Sequence, residues 1–148
     1  MLDPPQEARV RAAFESQGMM KTLGASLTRL EAGEVEIVFP FGPHIAQHHG
    51  FAHAGALTAA VDNAGGFAAM SLMPAGMEVL TIEFKLNFLS PAVGETFVAV
   101  ARVKRSGKQI SVVEGEVFAD DGMGGRKTIA LMLATMMGVW LGKRGGDT

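Results

Sequence analysis

A chain of 148 residues with 48% apolar composition is the size of one ordinary domain and carries enough apolar side chains for a core, which excludes a disordered tract. The formal charge of −2 gives no basic footprint for nucleic acid, and the lack of cysteine excludes disulfides and thiolate-bound metals while fitting a cytoplasmic setting. The first residues lack the apolar core of a signal peptide, and the apolar run from Ile129 to Leu141 is shorter than the roughly 20 residues of a bilayer span, so no membrane association is expected.

Asp3 followed by Pro4, with Gln6 three residues on, predicts the cap of a short amphipathic helix inside residues 1–20. Val10, Ala13, Phe14 and Met20 would form its apolar face, and Gly18 would stop it. Two strands, Ala25–Leu30 and Glu34–Phe39, are expected around a turn at Glu31-Ala32-Gly33. A loop over Pro40–Ala52 leads into a helix from Ala54 to about Met73, apolar around most of its circumference and so buried on most sides. Gly65 and Gly66 inside it each cost roughly 1 kcal/mol against alanine unless close backbone packing compensates.

The second half reads as strand. Val79–Leu89 alternates, with Leu80, Ile82, Phe84, Leu86 and Phe88 facing one way and Thr81, Glu83, Lys85 and Asn87 the other. Glu95–Lys104 and Gln109–Ala119 flank a tight turn at Ser106-Gly107, and Lys127–Leu141 is apolar on both faces, as a central or interface strand would be. The tail over 142–148 is expected to fray. One long helix and a meander of strands give an α+β domain over 1–148, with the sheet wrapped around the helix and its other face left for solvent or another subunit.

Candidate chemistry concentrates in Gln47–Gly66, QHHGFAHAGALTAAVDNAGG, which holds three of the four histidines and the lone carboxylate Asp62 among apolar neighbours. A charge in such surroundings costs several kcal/mol unless it is paired or solvated. The helix start at Ala54 and Gly55 offers backbone N–H groups without intrahelical acceptors, in the positive field of the helix dipole, where an oxyanion could be held. Asp62 lies eight residues on, about 12 Å along the axis. One carbonyl cannot be held at Ala54 and attacked from Asp62 of the same helix, so a catalytic role for both implies two copies of the chain with roughly antiparallel helices.

The string H-A-G-x-L-x-x-x-x-D-N, preceded by Gln47 and followed by a strand ending N-F-L-S-P-A, resembles the hotdog-fold acyl-CoA thioesterases of the PaaI type, in the 4-hydroxybenzoyl-CoA thioesterase superfamily. The resemblance covers about residues 20 to 141. It implies a hotdog fold and hydrolysis of acyl- or aryl-CoA thioesters with no cofactor, coenzyme A being part of the substrate. It also implies a homodimer paired through the Val79–Leu89 strand, with a dimer of dimers as the larger form. By position it makes Asp62 the base or nucleophile, the Ala54 N–H the oxyanion donor beside Gly55, and Gln47 the amide that orients substrate or water. Thr81 would be the hydroxyl that assists the attacking water. The commoner His-Gly-Gly stands here as His53-Ala54-Gly55, which keeps the N–H and adds a methyl.

Around these, His53 is expected to fix the turn by bonding to backbone, His49 and Asn63 to line the pocket, and His44 and His48 to lie on the loop surface. The four-residue spacing of His49 and His53 would bind a metal only on a helix, and Pro43 and Gly50 argue for a loop, so no metal is expected. Lys104, Arg105 and Lys108 surround the Ser106-Gly107 turn. They are either a solvated hairpin tip or a grip for the phosphates of coenzyme A. Burial would raise the pKa of Asp62, and helix-end dipoles and amide donors would oppose the rise. Two rival functions fit the same fold. One is an acyl-CoA-binding protein without turnover. The other is a dehydratase, for which no histidine follows Asp62.

Overall fold

Glycine and proline placement sets most element boundaries in the computed structural model, which describes residues 1–141; the tail over 142–148 lies outside the described residues. Helix α1 runs from Pro4 to Glu15, with the Asp3 carboxylate accepting the Gln6 N–H at 2.9 Å. It stops at Ser16, and Gly18, expected to end it, instead opens a second helix, α2 (Gly18–Leu23). The break has a geometric cause. At about 100° per residue a continuous helix would carry Met20 some 240° around from Phe14, yet Val10, Phe14 and Met20 are all buried. Gly24, at φ 63°, closes α2 in the left-handed conformation that favours glycine.

Strands β1 (Ser26–Glu31) and β2 (Glu34–Pro40) form the first hairpin, and α3 (Ala54–Met70) follows a loop with a 3-10 turn at Pro43–Ile45. Then come β3 (Met77–Phe88), β4 (Thr96–Ser106), β5 (Ile110–Asp120) and β6 (Arg126–Trp140). All pairings are antiparallel, in the order β1-β2-β4-β5-β6-β3. The last four strands are therefore not one meander: β3 lies at the far edge beside β6, and the chain recrosses to pair β4 with β2. That crossover makes β6 internal and leaves β3 with one free edge.

The sheet curls around α3, as expected of a hotdog fold. Phe39, Phe97, Ile37, Val113 and Met136 pack inward against Leu57, Ala60, Val61, Ala64 and Ala68 of the helix. Fully burying each large apolar side chain stabilises by about 1.5–3 kcal/mol. Glycines set how closely helix and sheet approach: a Cβ on Gly115 would lie 2.7 Å from Val61 Cγ2, and one on Gly65 would lie 3.0 Å from Met136 Cε. A Cβ on Gly66 would meet only Val79 at 3.7 Å, so the packing compensation applies to Gly65 and not to Gly66. Helix α3 ends three residues earlier than expected. There Ser71 Oγ donates to Ala68 O at 2.7 Å and accepts the Gly33 N–H at 2.8 Å, pinning the helix end to the β1–β2 turn.

The even alternation expected of β3 does not hold. Its register against β6 shifts between Thr81 and Glu83, which makes Ile82 a bulge residue. Thr81 stands opposite Met136, while Phe84, Leu86 and Phe88 stand opposite Ala134, Met132 and Ala130. Thr81 and the three apolar residues thus share the helix-facing side, whereas unbroken alternation would put them on opposite sides. Leu80, opposite Met137, joins Lys85 and Asn87 on the outer side.

Candidate active site

The loop before α3 is held by its own backbone. Gln47 N–H donates to Phe51 O at 2.8 Å, His53 N–H to Ile45 O at 2.7 Å, and Ala52 N–H to Ala92 O at 3.1 Å. The last bond seats the loop against the segment that follows β3. Between them lies a cleft of about 670 Å³, walled by Gln47, His48 and Phe51 on one side, Phe88–Ala92 on the other, and His53, Ala54 and Leu57 of the helix start. No carboxylate, lysine or arginine lines it, and its walls are mostly apolar.

His53 caps α3 with its own ring: Nδ1 accepts the Gly55 N–H at 2.8 Å. An accepting Nδ1 leaves the ring proton on Nε2. The same bond consumes the N–H of Gly55, and His53 O accepts the N–H of Ala56 at 2.9 Å. Among the described residues no acceptor is bonded to the N–H of Ala54, a cleft-lining residue at the positive end of the helix. Of the two expected donors, Ala54 is available and Gly55 is spent on the cap. Gln47 is on the cleft wall, with its Oε1 accepting the His49 N–H. His49 is not on that wall. Its neighbour His48 is, and the two rings lie 4.0 Å apart. Of the two adjacent loop histidines only His48 lines the cleft, and no feature of the sequence distinguishes them.

The second group of residues is two turns along the helix. Asp62 is half-buried, and its Oδ1 accepts the Thr81 hydroxyl at 2.8 Å. Burial pushes the Asp62 carboxyl above its ordinary value, and the Thr81 bond partly offsets the rise. Thr81 also sits 3.3 Å from Met136 Sδ. Asn63 turns back on its own helix, its Nδ2 donating to Ala59 O at 3.3 Å. None of Asp62, Asn63 and Thr81 lines the cleft at Ala54, so the two groups of residues lie apart within one chain.

The basic hairpin tip divides. Lys104 pairs with Glu114 at 3.2 Å, while Arg105 and Lys108 border a shallow depression at the β4–β5 turn. Register places that turn beside the Thr81 end of β3: Ile110 stands opposite Met137, which stands opposite Leu80. The cleft is at the Phe88 end. Among the described residues no group of three or more His, Asp or Glu is placed to hold a metal ion, and no helix is long and apolar enough to cross a membrane.

Residues 49–125, more than half of the chain, match the family model described as Thioesterase superfamily. A thioesterase family protein from Silicibacter pomeroyi superposes with a TM-score of 0.89 at 40% identity, covering 92% of this chain and 99% of that one. A protein of Saccharolobus solfataricus is 30% identical over 128 residues, covering 86% of this chain and 91% of its own length. The acyl-coenzyme A thioesterase PaaI of Escherichia coli is 26% identical over 121 residues, covering 81% of each.

Proposed function

The chain belongs to the thioesterase superfamily, and from that premise we propose that it hydrolyses acyl- or aryl-CoA thioesters at sites shared between two copies. The observation that carries this reading is the split of the machinery along α3: a free N–H at Ala54, and a desolvated carboxylate at Asp62 about 12 Å away. Each half lacks what the other offers, and an antiparallel second copy supplies it.

In the shared site the thioester carbonyl oxygen accepts the Ala54 N–H of one copy, with Gln47 holding the group in place. Asp62 of the other copy takes a proton from water as the water oxygen bonds to the carbonyl carbon. The displaced π electrons form the oxyanion at Ala54. When the carbonyl re-forms, the carbon–sulfur bond breaks and the thiolate recovers the proton from Asp62. In the alternative course the Asp62 carboxylate attacks the carbonyl carbon first, and the carbon–sulfur bond breaks with departure of the thiolate. Water then cleaves the resulting anhydride to the free acid and the Asp62 carboxylate, one water proton going to the thiolate. Thr81 donates to Asp62 Oδ1, so its lone pairs are left to orient the water in either course.

The copies pair through β3, whose free edge carries Leu80, Ile82 and Phe84 at 55%, 52% and 41% exposure, an apolar edge that a monomer would leave open. Exposed Leu131 and Leu133 on the outer sheet face offer the second contact for a dimer of dimers. Arg105 and Lys108 lie at the Asp62 end of their own chain and so beside the cleft of the second copy, placed to meet the phosphates of the bound coenzyme A. The test is thiol release from a panel of acyl- and aryl-CoAs by the wild type and Asp62→Asn. Release by the wild type with a loss of about 10²-fold or more in the variant is expected; equal rates remove Asp62 from the mechanism.

A further inference from the structure

The C-terminal end of a helix leaves carbonyls that water or a following glycine usually satisfies. At the end of α3 the Phe67, Ala68 and Ala69 carbonyls accept from Ser71 and Leu72, but Met70 O and three carbonyls beyond the helix also accept from two side chains of α1. Gln6 Nε2 donates to Met70 O at 2.7 Å and Met73 O at 3.0 Å. Arg9 donates to Pro74 O at 3.2 Å and to Met77 O, and also to the side-chain oxygen of Gln6 at 3.3 Å. The Glu78 carboxylate lies 3.8 Å from the guanidinium, whose side chain is only 19% exposed. In sequence Gln6 suggested a partner in the α1 cap. Only its backbone N–H serves that cap, and its side-chain amide reaches across to α3.

The carbonyls held in this way belong to the last turn of α3, the connection that follows it and the first residue of β3. Those are the two elements that carry Asp62 and Thr81. The connection contains Pro74, Ala75 and Gly76 and is closed by backbone bonds such as Met77 N–H to Pro74 O at 3.2 Å, so the α1 side chains are a further tie between α3 and β3. Val10 and Phe14 anchor α1 by packing, with the Phe14 ring edge-on to Phe67 at 6.1 Å. The polar strap is therefore additional to what holds the helix down.

We propose that Arg9, together with Gln6, is a positioning residue for the Asp62–Thr81 contact, acting through the backbone of the α3–β3 connection. The proposal rests on the reading of Asp62 as the reacting carboxylate. Misplacing a reacting group by about 1 Å costs up to roughly 10²-fold in rate, so a loosened strap is read in turnover before it is read in substrate affinity.

Arg9→Ala is expected to lower kcat about ten-fold with KM within about two-fold. Arg9→Lys restores the larger part, and Arg9→Ala costs less than about two-fold more once Thr81→Val is present. Equal losses in both backgrounds, or a raised KM at unchanged kcat, overturn the proposal. Should Arg9→Ala not fold, Gln6→Ala removes the three side-chain bonds of Gln6, to Met70 O, Met73 O and Arg9, while keeping the guanidinium, and the same results decide. A second readout needs no turnover. Thr81→Val is expected to raise the NMR titration midpoint of the Asp62 carboxyl in the wild-type background and to shift it less in Arg9→Ala. Equal shifts overturn the strap, whereas a wild type that releases no thiol from any thioester overturns only the hydrolase reading.

Discussion

Thr81 Oγ1 donates to Asp62 Oδ1 across 2.8 Å, joining the third turn of α3 to a strand at the edge of the sheet. The bond favours the carboxylate, and burial disfavours it more strongly. Removing the hydroxyl with Thr81→Val should therefore push the Asp62 pKa further up. The acid limb of the kcat–pH profile then moves to higher pH, and kcat on the plateau falls about ten-fold. Thr81→Ser keeps both close to wild type. Steady-state thiol release between pH 4 and 9 reads all three.

The same raised pKa has a stability consequence of definite sign. A carboxyl whose folded-state pKa lies above its unfolded value of 3.8 binds its proton more tightly when folded. The folded state is thus favoured at low pH and loses that advantage as pH rises from the unfolded value through the folded one. Asp62→Asn should accordingly raise Tm at pH 7, with the gain shrinking toward pH 4, while turnover collapses. Calorimetry of the two proteins across that range checks it; a variant less stable than wild type at pH 7 contradicts the desolvation account.

Proline is tolerated at the first position of a helix and has no N–H to give. Ala54 holds that position, and His53 before it is already extended, at φ −64° and ψ 137°, as a residue preceding proline prefers. Ala54→Pro should therefore remove the oxyanion donor with little change in Tm. The expected loss in kcat is about 10²–10³-fold. A fully active, folded Ala54→Pro protein would reassign the donor.

Sharing of sites is tested by mixing two dead proteins. A heterodimer of Asp62→Asn and Ala54→Pro has one site with an intact Ala54 facing an intact Asp62, and one site with neither. Random re-pairing makes half the dimers mixed, so about a quarter of wild-type activity should return. Sites built within one chain would recover none. Sedimentation of Ile82→Lys, which places a charge on the β3 edge, should show dissociation together with loss of turnover.

Arg105→Ala with Lys108→Ala should raise KM for an acyl-CoA several-fold while leaving KM for the corresponding acyl-pantetheine, which lacks the nucleotide phosphates, unchanged. Kinetics on the two substrates side by side give the comparison.

The helix start at Ala54, the turn at Gly33 and the six strands were legible because each depends on local chemistry: a capping residue, a turn glycine, an apolar period. The bulge at Ile82 was not. Its string alternates without fault, and only pairing with β6 shows that one residue is extra. The consequence for the site is direct, since the bulge turns Thr81 to the helix side while keeping Phe84, Leu86 and Phe88 there. The break between α1 and α2 was hidden for a related reason: Met20 fits an apolar face loosely, and only the position of the core decides which helix carries it there.

For the site, the sequence by itself determined which groups could react and how far apart one helix must hold them, because residue type and helical rise are local quantities. Tertiary structure alone decided that His48 and not His49 reaches the cleft, and that Asp62 meets Thr81. It also decided that Gln6 and Arg9 belong to the α3–β3 connection. Each of these is a bond or a facing between segments distant in the chain or between alternatives of equal local fitness. Such choices are made by which hydrogen-bond partners remain once the sheet has closed around the helix.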